Sequence, residues 1–203
     1  MINKFSIVAL VFSVTSNLAF ADTYANFGVS MSTTKINSTA NATTNHDEDS
    51  NKAYFDFGYF FTEHLAAEIG YRSGEAKERY SFSGTPLSGD SEIDVFKIGI
   101  KAYTSTEEAL YGFGGIGLAM MSVETTITDN SADTSTFTNG QKLKEDSNNA
   151  YYTVGAGYRV TEKLAVEASY SDYGKAGDPS VNNVTDPSEH KFSEFTVGIS
   201  YNF

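Results

Sequence analysis

The chain has no cysteine, no tryptophan and only three prolines in 203 residues. Without cysteine there is no disulfide framework, so burial and backbone pairing must hold the fold. Basic residues are scarce: 14 Lys and Arg stand against 26 Asp and Glu, a formal net charge of -12. Nucleic acid is a poor partner for such a chain, because phosphate binding needs a basic surface. Histidine is limited to His46, His64 and His190. Past the N-terminus no apolar run approaches the roughly 20 residues that a membrane helix takes. A bundle of membrane helices is therefore excluded. The mean hydropathy of -0.30 would suit a soluble protein. It suits equally a chain whose apolar residues fall singly, at every second position.

The C-terminal segment shows that second arrangement most plainly. Phe195, Val197, Ile199, Tyr201 and Phe203 alternate with Glu194, Thr196, Gly198, Ser200 and Asn202. A period of two sends successive side chains to opposite faces of a strand. About ten such residues cross a bilayer core when tilted. The same alternation runs from Ala25 to Met31, Ala53 to Phe61, Leu65 to Tyr71, Phe96 to Ala102, Tyr152 to Val160 and Leu164 to Tyr170. An eighth segment, Leu110 to Val123, is less regular: Tyr111 and Phe113 are odd, whereas Ile116, Leu118 and Met120 are even. A β-bulge at Gly114-Gly115 would restore the phase. The alternative is a glycine-lined wall facing a large neighbour.

The connections alternate in length. Short ones lie at Thr62-Glu63, Thr104 to Ala109 and Thr161-Glu162. Long polar ones are expected at about Thr34 to Asn51, Gly74 to Glu92, Glu124 to Asn149 and Gly174 to Lys191. Pro86, Pro179 and Pro187 all fall within these long segments, which leaves the strand ladders their donors. An internal repeat supports the register. Gly58-Tyr59-Phe60-Phe61-Thr62-Glu63-His64-Leu65-Ala66-Ala67-Glu68 parallels Gly157-Tyr158-Arg159-Val160-Thr161-Glu162-Lys163-Leu164-Ala165-Val166-Glu167. The expected fold class is all-β: an eight-stranded antiparallel up-and-down transmembrane β-barrel with short periplasmic turns and four long extracellular loops.

Residues 1–21 read as a cleaved signal peptide. Lys4 is basic, Phe5 to Val14 is mostly apolar, and Ala19-Phe20-Ala21 fits an A-x-A cleavage site. The barrel domain is then 22–203. A soluble lipocalin-like barrel has the same period with an apolar interior. Unequal loops favour lipid outside, as do aromatics near strand ends (Phe61, Tyr71, Tyr170, Tyr201, Phe203) and charges of both signs on the other rows. Those inward charges are Asp56, Glu68, Arg72, Lys97, Lys101, Arg159, Glu167 and Glu194. An eight-stranded barrel is just wide enough for side chains to fill it. The charges read as a neutralised polar plug, or alternatively as a narrow ion path. Glu68 and Glu167 should each find a partner among Arg72, Lys97, Lys101 and Arg159.

Leader, alternating strands, four long loops and the terminal Tyr201-Asn202-Phe203 together resemble the small outer-membrane barrels of Gram-negative bacteria. These form the OmpA-like, OmpX-like and opacity-protein superfamily, and the resemblance covers essentially the whole mature chain. It implies a monomeric barrel in the bacterial outer membrane, in contact with that membrane's lipid and lipopolysaccharide. It also implies that the last strand, with Phe195, Val197, Ile199, Tyr201 and Phe203, is read by the outer-membrane assembly machinery. Members include structural anchors, adhesins and serum-resistance proteins, so the resemblance selects no activity.

Catalytic and metal-binding signals are weak. His46 and His190 are expected in outer loops and His64 in a turn at the other end, whereas a Ser-His-acid site needs its members within hydrogen-bond reach. No His-x-Ser-Asn run matches the lipid A deacylase motif. His46-Asp47-Glu48-Asp49 and Glu145-Asp146 are acidic enough for a hard cation, but the calcium-loop spacing is missing. The sequons at Asn37 and Asn41 read as polar loop. No cofactor is expected. The reading is a non-enzymatic outer-membrane barrel displaying acidic loops for an unknown extracellular ligand. A small porin-like channel and a lipid-modifying enzyme are the alternatives.

Overall fold

The computed structural model describes residues 23–37, 46–82, 85–105, 107–130, 139–176, 180–181, 184–185 and 189–203. The expected signal peptide with Ala19 and Ala21 lies outside these residues, as do Pro179, Pro187 and most of both sequons. Strands β1 (Thr23–Asn37), β2 (His46–Phe60), β3 (Leu65–Phe82), β4 (Thr85–Tyr103), β5 (Leu110–Asn130), β6 (Lys142–Arg159), β7 (Leu164–Ala176) and β10 (Glu189–Asn202) form the wall. Two short strands, β8 (Ser180–Val181) and β9 (Val184–Thr185), pair only with each other. The wall closes in the order β1-β10-β7-β6-β5-β4-β3-β2, each neighbour antiparallel. Closure removes the sheet edges that lipid could not satisfy.

The turns of the repeated hairpins are built alike. The Thr62 hydroxyl accepts from the Leu65 amide at 3.0 Å, and the Phe61 amide donates to the Leu65 carbonyl at 3.0 Å. Thr161 accepts from Leu164 at 3.0 Å, and Val160 donates to the Leu164 carbonyl at 2.8 Å. Ser105 plays the same part in the third turn, accepting from Glu108 at 3.0 Å. A hydroxyl that holds the backbone locally makes a tight turn without glycine.

The apolar rows face outward. Val29, Leu110, Ile116, Leu118 and Tyr158 are each more than half exposed, and Phe27, Ile98, Ile100 and Phe195 are exposed beside them. A soluble barrel would turn these rows inward. The row from Phe195 to Phe203 spans roughly 20 Å along the axis at a tilt of about 40°, close to the apolar band of about 25 Å that such barrels carry.

Two expectations are corrected here. There is no bulge at Gly114-Gly115: β5 pairs without interruption from Phe113 to Thr126, opposite both β4 and β6. The odd residues Tyr111, Phe113, Ala119 and Met121 are buried, while Leu110, Ile116, Leu118 and Met120 face out. The aromatics that suggested a phase slip are interior residues. Gly117 between them is the glycine-lined wall, set against the Tyr151 ring.

The second correction concerns the long loops. The ladder continues well into them: Phe82 pairs with Thr85, Thr126 with Lys142, and Ile36 with both His46 and His190. Pro86 lies within β4, one residue from the hairpin tip, where a lost donor costs least. His46 and His190 are strand residues flanking β1, not loop residues. Among the described residues β2–β3 pairing stops at Lys52–Gly74 and β6–β7 pairing at Tyr152–Asp172. Beyond these points the wall splits into two ladders, β3-β4-β5-β6 and β2-β1-β10-β7. Gly174, at φ +73°, turns β7 just past the second split, and its amide donates to Asp172 at 2.8 Å.

The glycine wall is testable. A Cβ at Gly117 would lie 2.2 Å from the Ile98 carbonyl oxygen and 2.6 Å from the Gly99 Cα. Backbone cannot yield as a side-chain tip can. Gly117→Ala should therefore destabilise the barrel by about 1–3 kcal/mol. Gly112→Ala, whose Cβ would meet nothing nearer than Thr104 Cγ2 at 3.4 Å, should be nearly neutral. Urea midpoints of the refolded proteins, read by heat-modifiable gel migration, compare the two; equal midpoints would refute the close approach.

Candidate functional site

The interior is built in three layers. Near the turns, Tyr24, Ala66, Tyr103, Tyr111, Phe113 and Ala165 form an apolar cluster, with Phe60 packed against it. Toward the other end, Ile93, Val95, Ala119, Met121, Tyr151, Tyr173 and Phe192 form a second. Between them lie Asp56, Glu68, Arg72, Lys97, Lys101, Glu167 and Glu194, all buried. Strand periodicity puts them there: each sits in phase with the buried rows of its own strand.

The charges meet in one chain of pairs. The Arg72 guanidinium donates to both oxygens of Asp56, at 2.8 and 3.1 Å, and through Nε to Glu194 at 2.6 Å. Lys97 Nζ lies 3.3 Å from Asp56 and 2.6 Å from Glu68. Lys101 Nζ lies 3.5 Å from Glu68 and 3.0 Å from Glu167. Lys97 and Lys101 serve the repeated glutamates; Arg72 does not, being engaged by Asp56 and Glu194. Arg159 stands apart from the chain. It is half-buried at the turn end, its guanidinium 5.1 Å from the Tyr111 ring centroid, with one long bond of 3.4 Å to the Glu108 carbonyl.

Neutral donors complete the set. Tyr24 donates to Glu68 and Tyr111 to Glu167, each at 2.7 Å. Asn26 donates to Glu167 and Ser30 to Glu194, each at 2.8 Å, and Tyr173 donates to Glu194. Both oxygens of all four carboxylates therefore hold a donor, which is what burial of a charge demands. Lys52 is buried as well, 4.0 Å from the Phe192 ring centroid. These hydroxyls, Asn26 and Lys52 are absent from the charged set that alternation picks out. Lys52 shares the phase of Tyr54 and Asp56, a signal that could have found it.

The register discloses a repeated row. Tyr24, Gly58, Glu68, Gly99, Gly117 and Tyr151 stand side by side across six strands. Tyr111, Gly157, Glu167, Gly198, Gly28 and Tyr54 stand side by side across another six. Each glycine opens the space a tyrosine fills. A Cβ at Gly58 would strike the Tyr24 ring at 2.1 Å, and one at Gly157 the Tyr111 ring at 2.3 Å. Tyr24 then reaches Glu68 and Tyr111 reaches Glu167, each the glutamate of its own row, while Tyr54 donates to Asn26 at 3.0 Å. The sequence repeat is thus one part of a repeated Tyr-Gly-Glu-Gly-Gly-Tyr row.

At the far end the paired extensions are polar and solvated. Lys142 bonds Glu124 at 2.6 Å, and Lys144 bonds Asp146 at 3.2 Å. The Ser122 hydroxyl, with Lys144, holds the Asp146 carboxyl below its ordinary range. His64 is exposed in its turn. Among the described residues no cluster of His and carboxylates is placed to hold a metal ion.

The last strand is pinned on both sides. Phe195, Val197, Ile199 and Tyr201 face outward and pair with both β1 and β7. The Phe203 amide donates to the Thr23 carbonyl at 3.0 Å, closing the wall.

Comparison with solved structures returns small outer-membrane barrels. OprG from Pseudomonas aeruginosa aligns with a TM-score of 0.61 at 15% identity, covering 90% of this chain and 96% of that one. Neisserial surface protein A aligns at 0.54 and 14% identity, covering 89% and 97%. Ail, the attachment invasion locus protein of Yersinia pestis, aligns at 0.51 and 11% identity, covering 90% and 99%. At such identities the likeness is one of fold. No curated protein matches the sequence. The family model of the outer membrane protein beta-barrel domain matches residues 6–203, so the chain belongs to that family and is a β-barrel protein of the bacterial outer membrane.

Proposed function

We propose that the chain is a non-enzymatic, monomeric barrel, closed through its lumen, whose outer ladders display a binding surface for an extracellular ligand. The observation that carries this reading is the satisfied ion layer held between two aromatic layers. With every carboxylate oxygen occupied, no charged group in it is left to activate a nucleophile or a water. An ion entering would have to displace partners whose own burial cost would then be uncovered. The working surface is accordingly the part of the wall beyond the lipid belt, where the ladders continue. Ail has been crystallised with the heparin analogue sucrose octasulfate; the net charge of -12 here disfavours a polyanion as ligand.

The plug is tested by conductance and stability together. Planar bilayers holding the wild-type protein should show no discrete conductance steps. Glu167→Ala would leave Lys101 with the 3.5 Å pair to Glu68 as its remaining carboxylate contact among the described residues. Breaking a buried pair in this way costs on the order of 3–5 kcal/mol, so the urea midpoint should fall and leak should appear. The outward change Val166→Leu should do neither. Regular wild-type steps would favour the channel instead.

Surface display is tested by shortening the β3–β4 hairpin. Because Glu78 pairs with Gly89, residues 79–88 can be replaced by Asn-Gly, a two-residue turn suited to a hairpin. A non-adherent Gram-negative strain expressing the full-length protein should attach to immobilised matrix proteins better than its vector control. The shortened variant, still folded, should lose that gain. No gain with the full-length protein would refute the adhesive role.

Assembly should depend on the C-terminal residue. Deleting Phe203 removes an exposed aromatic and the bond to Thr23. The variant should cross the inner membrane normally yet reach the outer membrane at reduced level. Fractionation that finds equal outer-membrane amounts would count against an assembly role.

A further inference from the structure

At the turn end the interior opens into a cavity of about 430 Å³, and Tyr24, Phe60, Tyr103, Tyr111, Arg159 and Glu167 are among its lining residues. Four of these are aromatic and form a continuous wall. Tyr24 to Phe60, Phe60 to Tyr103 and Tyr103 to Tyr111 have ring centroids 5.4, 5.1 and 5.9 Å apart. The charges are not equivalent. Glu167 at the floor is fully engaged, by Tyr111 on one oxygen and by Asn26 and Lys101 on the other. Arg159 has no carboxylate within ion-pair distance among the described residues, and one weak bond to a carbonyl is the only hydrogen bond of its side chain there. A guanidinium has five N–H donors. Glu63, the other acid of the lining, is exposed to water in its turn. Among the described residues Arg159 is therefore the half-buried charge of the lining that keeps spare hydrogen-bond donors, and it lies on an aromatic shelf.

The repeated hairpins sharpen the point. Arg159 occupies the position that Phe60 occupies in the other copy. Phe60 packs into the aromatic wall, and the equivalent place carries a cation. The cavity thus presents rings for a flat apolar body and a planar fork for an anionic head.

We propose that this periplasmic mouth is a binding site for small aromatic carboxylates, with the ring lying against Tyr103 and Phe60 and the carboxylate on Arg159. Arginine matches a carboxylate with two parallel bonds, which a lysine cannot do. The volume admits a two-ring molecule.

The test uses the intact protein in phospholipid nanodiscs, with 2-naphthoate as probe and empty nanodiscs to subtract partition into lipid. Equilibrium dialysis should show one saturable site per barrel. The uncharged 2-naphthamide should bind roughly tenfold more weakly or worse, since only the shape is shared. Arg159→Gln should weaken naphthoate by a similar factor and leave naphthamide unchanged, while Arg159→Lys should fall between. Heat-modifiable migration confirms that each variant is folded. If Arg159→Gln does not fold, the acid-to-amide ratio on wild-type protein still decides. Absence of saturable naphthoate binding overturns the proposal, as does equal affinity for acid and amide.

Discussion

A closed wall of eight strands in lipid leaves a polar group that points inward only the interior in which to find its partner. Lipid offers no hydrogen bonds, and the lumen is narrow enough to be filled by side chains. The rest of the structure follows from meeting that demand. Four buried carboxylates are answered by Arg72, Lys97 and Lys101 and by the hydroxyls of Tyr24, Tyr111, Tyr173 and Ser30 with the amide of Asn26. Tyr24 and Tyr111 can do so only because Gly58 and Gly157 on the neighbouring strands leave their rings space. Glycine costs a strand some stability; here that cost admits a large ring carrying a donor to the charge it must satisfy.

The two rows make the arrangement cooperative. Lys101 lies between Glu68 of one hairpin and Glu167 of the other, so the copies are joined through a single ammonium. Lys97 then ties Glu68 to Asp56, and Arg72 ties Asp56 to Glu194. Groups linked in this way do not contribute independently, and substitutions within the chain of pairs should be strongly non-additive. A carboxylate removed at one end alters the partners available to a lysine two steps away.

Much of this was legible in the sequence, for a definite reason. Where one face meets lipid and the other a packed interior, hydrophobicity must alternate, and the seven regular strands were found by that alternation alone. The failures occur where the contrast between faces vanishes. In β5, Tyr111 and Phe113 are large and apolar yet point inward, because this interior needs aromatic layers on either side of its charges. Apolarity therefore appeared on both phases and suggested a bulge. Residues 74–92 carry no sustained apolar alternation, so they read as loop although their backbone is paired almost to the tip. Alternation also cannot say how deep an inward residue lies. Arg159 has the phase of the lumen charges but stands at its mouth, one turn from the solvent.

Depth along the axis also bears on what the barrel can do. The apolar cluster around Ile93, Val95, Met121 and Phe192 sits on the outer side of the charges, and the tyrosine cluster sits on the periplasmic side. A hydrated ion crossing the lumen would meet an apolar constriction, then a neutralised ion layer, then a second apolar one. With most lipid-facing surface covered by the bilayer, chemistry is left to the two ends. Those ends differ in kind. The outer one is a split pair of ladders, whereas the periplasmic one is a small mouth open to solvent. Because the filled lumen separates them, occupation of one need not alter the other. A coupling between them would start at Tyr24 and Glu167, which line the mouth and also belong to the ion layer, Tyr24 through its bond to Glu68 and Glu167 through its pair with Lys101.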